Sequence, residues 1–162
     1  MQFGISVWGG ASNKQFNRLV TLQKKAVRHI TCSKYNSHTS PIFKKLKLLK
    51  LSDCYKLNCA KIYHKKKLGT LHPYHSNLLI SKGATQERLT RQGSDIVMRK
   101  SSVFQRVNNL VFKVGYSWNN LPYEIKNSEK LSEQTFSKKV KAHYLSGYSE
   151  KCVIRNCYVC KK

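Results

Sequence analysis

Between Lys14 and Lys67 the chain carries 15 lysines and arginines and a single acid, Asp53. That imbalance sets the tightest limit on what can fold here. An unpaired cation taken out of water costs several kcal/mol, so this charge has to stay at the surface. The apolar residues that build a core are threaded between the cations. Only an arrangement that sorts the two onto different faces can satisfy both.

Helical spacing does the sorting. Ser12 or Asn13 can cap a helix over Lys14–Thr31, with Phe16, Leu19, Val20, Ala26, Val27 and Ile30 on one stripe. Arg18, Lys24, Lys25 and Arg28 fall largely outside it. Ser40 as cap and Pro41 at the first helical position start a second helix, Pro41–Lys50. Ile42, Phe43, Leu46 and Leu49 form its apolar side, and Lys44, Lys45, Lys47 and Lys50 point elsewhere. Ser52 caps a third helix, Asp53–Leu68, in which Tyr55, Cys59, Ile62 and Tyr63 recur at helical intervals. Asp53 suits the positive end of its dipole, Lys65, Lys66 and Lys67 suit the negative end, and Gly69 can stop it.

Beyond Lys67 the pattern changes. Leu68–Thr90 reads as a connection. Asp95–Lys100 and Leu110–Tyr116 read as two short strands or a hairpin, followed by a compact turn at Trp118-Asn119-Asn120-Leu121-Pro122. Leu131, Ser132 and Phe136 fit a hydrophobic staple opening a last helix that continues through Val140 and Tyr144 to Gly147. The expected fold is mainly α with a small β element. Its parts are a basic helical region over 1–68, a connection with strands over 69–127, a helix over 128–149 and a basic cysteine-bearing tail over 150–162.

Composition narrows the class. The chain has 162 residues and a net charge of +24. Nine Tyr, six Phe and two Trp are too many for a disordered tail, while an apolar share of 40% is thin for an independent domain of this size. No run of 18 apolar residues exists, and the first ten residues carry no secretory pattern. The six cysteines are then expected as free thiols or metal ligands in a reduced setting. Nucleic acid is the commonest partner for such a field, because each neutralised phosphate releases counterions; the same field would hold any polyanion.

Catalytic signatures are missing. Metal-dependent polymerases and nucleases need clustered carboxylates that hold two ions about 4 Å apart. Asp53 and Asp95 are isolated, and Glu124, Glu129 and Glu133 form no ligand pattern. No phosphate loop, dinucleotide fingerprint or zincin motif occurs. Cys152-x4-Cys157-x2-Cys160 could hold zinc, with His143 as the nearest candidate for a fourth ligand; because the spacing fixes no fourth ligand, three unligated thiols in a basic tail are the favoured alternative. Cys54, Cys59 and His64 sit at i, i+5 and i+10 and read as core or incidental groups. Trp8 and Trp118 could stack on bases or anchor a core. His38 could touch phosphate or order the start of the second helix. Arg91 and Arg99, flanking the first strand, are the arginines whose forks best suit a backbone phosphate.

Seven strings occur in order: Phe3-Gly4-Ile5 with Trp8-Gly9; Leu22 through Arg28; His38-Thr39-Ser40-Pro41 through Leu46; Leu49 through Asp53; Thr90-Arg91; Gly115 with Trp118 through Pro122; and Phe136 through Lys141. In this order and spacing the chain resembles, up to about Tyr148, the C-terminal part of reverse transcriptases of jockey-like non-LTR retrotransposons. The resemblance implies a thumb-like and post-thumb region that grips template–primer duplex or element RNA. In such elements the first string lies downstream of the polymerase palm, whose aspartate pair has no counterpart here. Magnesium would belong to that palm, and this chain alone is expected to be inactive. Met1 falls where family members have internal sequence, so a truncation or gene-model boundary is expected there. Some relatives end in a cysteine-bearing tail. The implied partners are RNA and DNA, with no membrane, and the implied location is the nucleus, with a cytoplasmic ribonucleoprotein stage. A zinc-stabilised interaction module and a decayed element fragment are the alternatives.

Overall fold

The structure, a computed structural model, describes residues 4–85, 93–98, 109–127 and 131–150. The chain is mainly helical. Eight α-helices occur among the described residues: α1 (Ile5–Trp8), α2 (Asn13–Ile30), α3 (Thr39–Lys45), α4 (Leu51–Lys67), α5 (Pro73–Asn77), α6 (Leu110–Asn119), α7 (Tyr123–Lys126) and α8 (Glu133–Ser146). No helix is long and apolar enough to cross a membrane among these residues. The chain divides into two compact units, one of residues 1–10 and 55–140, the other of residues 11–54 and 141–162.

In the first unit the core is built around Trp118. This side chain is 0% exposed, and its indole Nε1 donates to the Ser94 carbonyl at 2.8 Å. Tyr63 tilts against it with ring centroids 4.6 Å apart, and Phe136 stacks at 5.9 Å. His64 lies flat on Phe136 at 4.1 Å and donates Nε2–H to the Leu131 carbonyl at 2.9 Å. Cys59, Ala60, Val114 and Val140 close the space between these rings. A Cβ on Gly9 would stand 2.3 Å from the Tyr55 ring and 2.4 Å from the Ile5 carbonyl, so only glycine lets α1 end there.

The expected second strand, Leu110–Tyr116, is instead helix α6. Asn109 caps it, its side chain accepting from the Val111 amide at 2.9 Å. Val111, Val114 and Trp118 repeat at intervals of three and four, and Val114 and Trp118 are buried. Packing on one face outweighs the strand preference of the valines, which is worth only tenths of a kcal/mol per residue. Gly115 permits close approach, since a Cβ there would meet Met98 Cγ at 3.1 Å. The helix also takes in Trp118 and Asn119, so the expected turn begins only at Asn120.

No strand forms at Asp95–Met98, and the last two residues of that expected strand lie outside the described ones. A single antiparallel bridge, Ser81 to Ile96, is the only pairing among the described residues. Val97 donates to the Ile80 carbonyl at 2.8 Å and Lys82 to the Asp95 carbonyl at 2.7 Å. On the other edge the Asn119 amide takes the place of a neighbouring strand: it accepts from Ile96 N at 2.8 Å and donates to Ile96 O at 3.0 Å. A side chain satisfies the backbone, and the ladder stops after one bridge. The connection over 69–85 also has structure, with Pro73 in the first turn of α5 and a 3-10 turn at Lys82–Ala84.

In the second unit α3 packs on α2. Phe16, Leu19, Val20, Gln23 and Val27 form the inward stripe of α2, whereas Ala26 and Ile30 are exposed. Gln23 is polar but has the right register, and it works as a clamp. Its amide donates to the Leu49 carbonyl at 3.0 Å and accepts from Leu51 N at 2.8 Å, holding the α3–α4 connection. α3 starts at Thr39 and ends at Lys45, earlier than expected. Lys47 takes a left-handed conformation (φ 51°) and Leu48 N bonds the Phe43 carbonyl, a Schellman ending made without glycine. α4 starts at Leu51, ahead of the expected Ser52 cap. Tyr148 ties the unit's ends together. Its hydroxyl accepts from Lys50 N at 2.9 Å and donates to the buried Asp53 carboxylate at 2.5 Å, and burial raises its pKa far above the ordinary phenol range.

Candidate nucleic-acid interface

Helix geometry decides which cations can reach a ligand. On α2, Lys14, Arg18 and Lys25 stand at i, i+4 and i+11, one face of the helix, away from the Phe16–Val27 stripe. Lys14, Asn17, Arg18, Thr21 and Leu22 line a shallow groove along that face. Arg18, Lys24 and Lys25 are exposed, as are Lys45 and Lys47 at the end of α3. These five side chains make no hydrogen bond or ion pair among the described residues, and all belong to the second unit.

The other expected contact residues are engaged. Arg28 is half-buried and its Nε donates to the Ser37 carbonyl at 2.8 Å. Lys44 pairs with Glu150 at 3.1 Å. Lys65 pairs with Glu133 at 3.5 Å, both half-exposed. Lys66 donates to the carbonyls of Ser76 and Leu79, and burial pulls its pKa below the ordinary amine value. Lys67 donates to the Lys126 carbonyl at 2.8 Å and lies over the Trp118 ring at 5.7 Å. The helix end that reads in sequence as a triple-lysine cluster therefore serves largely to hold the first unit together. Arg91 and Arg99 lie outside the described residues.

The two aspartates are equally committed. Asp53 holds the Tyr148 hydroxyl. Asp95 takes Lys126 at 2.8 Å and Lys82 at 3.6 Å. Lys126 itself is buried and also donates to the Asn119 carbonyl at 2.7 Å. Among the described residues no three His, Cys, Asp or Glu come together as a metal site. Cys152, Cys157 and Cys160 lie outside them; His143 is half-buried on α8, beside Tyr144 with ring centroids 5.6 Å apart. Cys54 and Cys59 are buried, and desolvation pushes the Cys59 thiol up to about 11. Trp118 is a core anchor, and Trp8 is half-buried. His38 stands at the start of α3 without capping it.

Lys14 extends the α2 face by one turn. The i, i+4 spacing to Arg18 was the available signal for it. No protein family, curated protein or solved structure matches the chain.

Proposed function

We propose that the chain is a non-catalytic nucleic-acid-binding module, the thumb-like and post-thumb part of a jockey-like reverse transcriptase. In this reading it holds template–primer duplex or element RNA while a palm elsewhere performs the chemistry. The observation that carries the reading is that Arg18, Lys24 and Lys25 on α2, with Lys45 and Lys47 at the end of α3, are exposed and make no internal hydrogen bond or ion pair among the described residues. Cations left to water are available to phosphates, whereas cations bonded to carbonyls would have to give up those bonds first. The order of the seven sequence strings supplies the family. Contacts of this kind position a duplex and carry little sequence preference.

The test is fluorescence anisotropy with an RNA–DNA hybrid across a salt series. Five phosphate contacts predict that the logarithm of affinity falls with the logarithm of salt at a slope of roughly four to five. A flat response contradicts the reading. Primer extension by the chain alone is expected to be blank, and any extension would overturn its non-catalytic part.

A further inference from the structure

The second unit contains a pocket of about 300 Å³ whose lining includes Lys24, His38, Thr39, Ser40, Lys50 and Ser52. Two lysines, three hydroxyl-bearing residues and a histidine are among the residues that line this one space. Lys24 is exposed and makes no ion pair among the described residues. Lys50 is half-buried; its ammonium lies over the Tyr148 ring, 4.4 Å from the centroid, and donates to Ser40 Oγ at 3.2 Å. With one N–H on Ser40 and the ring beside it, a further N–H of the same ammonium is left for a ligand. No acidic side chain lines the space. Asp53, next to Ser52, is buried and holds the Tyr148 hydroxyl.

We infer that this pocket binds a phosphate monoester, at a nucleic-acid strand end or on a free nucleotide. A concave site with converging donors suits a group that enters from one side and presents three oxygens. An internal diester has two non-bridging oxygens and needs two chain exits, which the open α2 groove provides and a pocket does not. The space is larger than a phosphate alone, and Val20 and Phe43 give an apolar wall for the attached sugar. The backbone framing the pocket is already satisfied: Gln23 clamps Leu49 and Leu51, and Tyr148 holds Lys50 N. The backbone that carries these donors therefore needs little reordering when the ligand arrives, and the exposed Lys24 side chain is what the ligand orders. The inference rests on the nucleic-acid reading only for the source of the ligand.

The experiment compares two RNA–DNA hybrids of one sequence, 5′-phosphorylated and 5′-hydroxyl, on the full chain at fixed salt. The phosphorylated hybrid is expected to bind roughly tenfold more tightly, as two charge-assisted contacts allow. Lys24→Gln and Ser40→Ala, each checked for folding by circular dichroism, are expected to cut that ratio severalfold. Adenosine monophosphate as competitor separates the sources. Loss of the advantage shows that a free monoester suffices, and its persistence assigns the monoester to the strand end. A wild-type ratio of one, or a ratio that both variants leave unchanged, overturns the pocket. Salt-dependent binding of the hydroxyl-ended hybrid reports the wider interface separately, so failure of one is distinguishable from failure of the other.

Discussion

Two sets of cations, one in each unit, are used in different ways. In the first, Lys66, Lys67 and Lys126 reach across to backbone carbonyls, and Lys126 also neutralises Asp95 from a buried position. In the second unit, Arg28, Lys44 and Lys50 are also bonded inside the fold, but Arg18, Lys24, Lys25, Lys45 and Lys47 end in solvent, and an uncharged amide, Gln23, clamps the α3–α4 connection. Net charge alone does not distinguish these uses. What differs is whether a carbonyl or carboxylate lies within reach of the ammonium. A cation bonded inside the fold contributes stability and leaves little for a ligand; one in solvent contributes little stability and keeps its full field.

The strongest challenge to this contrast is Lys126→Met. It leaves the Asp95 carboxylate with only Lys82 and the Asn119 carbonyl without its donor, and thermal melting should show a loss of about 3 kcal/mol. A loss below about 1 kcal/mol would mean the first unit does not depend on its lysines. Next in size is Gln23→Leu, which orphans the Leu49 carbonyl and the Leu51 amide. About 2 kcal/mol is expected by chemical denaturation. A neutral result would remove the clamp from the account.

A smaller effect is pH-dependent. Burial holds the His64 pKa below its ordinary 6.5, with Lys67 acting in the same direction and the Leu131 carbonyl and Glu133 opposing. Above 6.5 the ring is neutral whether folded or unfolded, and its contribution is complete. As pH falls below 6.5 the unfolded chain takes up the proton first, so stability declines until the lower folded pKa is passed. Melting temperature should therefore fall more steeply between about pH 7.5 and about pH 5.5 in the wild type than in His64→Asn. Parallel slopes would sink the assignment. The smallest effect separates stability from binding at one residue. Lys47→Gly relieves a left-handed lysine and should raise stability by about 0.5 kcal/mol, yet weaken hybrid binding by one phosphate contact. A variant that gains both would place Lys47 outside the interface.

How much of this could be read in the chain follows from range. α2, α4 and α8 were legible because caps and apolar spacing are local, and Ser12, Asp53 and Ser132 mark their starts within a residue or two. α6 was misread because Leu110–Tyr116 contains β-branched and aromatic residues in a short run. The buried face that makes it helical involves Cys59, Tyr63 and Phe136, far away in sequence. The expected strand at Asp95 failed for a related reason: its second neighbour is the Asn119 side chain. For the interface, the outward position of Arg18, Lys24 and Lys25 followed from helical phase. The engagement of Lys66 and Lys67 did not, since their acceptors at Ser76, Leu79 and Lys126 depend on tertiary folding. The phosphate pocket was illegible for the same reason, because Lys24, Ser40 and Lys50 come together only when α3 packs on α2.

The most direct measurement compares salt slopes for RNA–DNA hybrid binding in two double variants, Arg18→Gln with Lys25→Gln and Lys66→Gln with Lys67→Gln. The first pair should flatten the slope by nearly two and leave stability within about 0.5 kcal/mol. The second should lower stability and leave the slope of the folded protein unchanged. Equal flattening by both pairs, or by the second alone, would contradict the division of labour between the two sets of lysines.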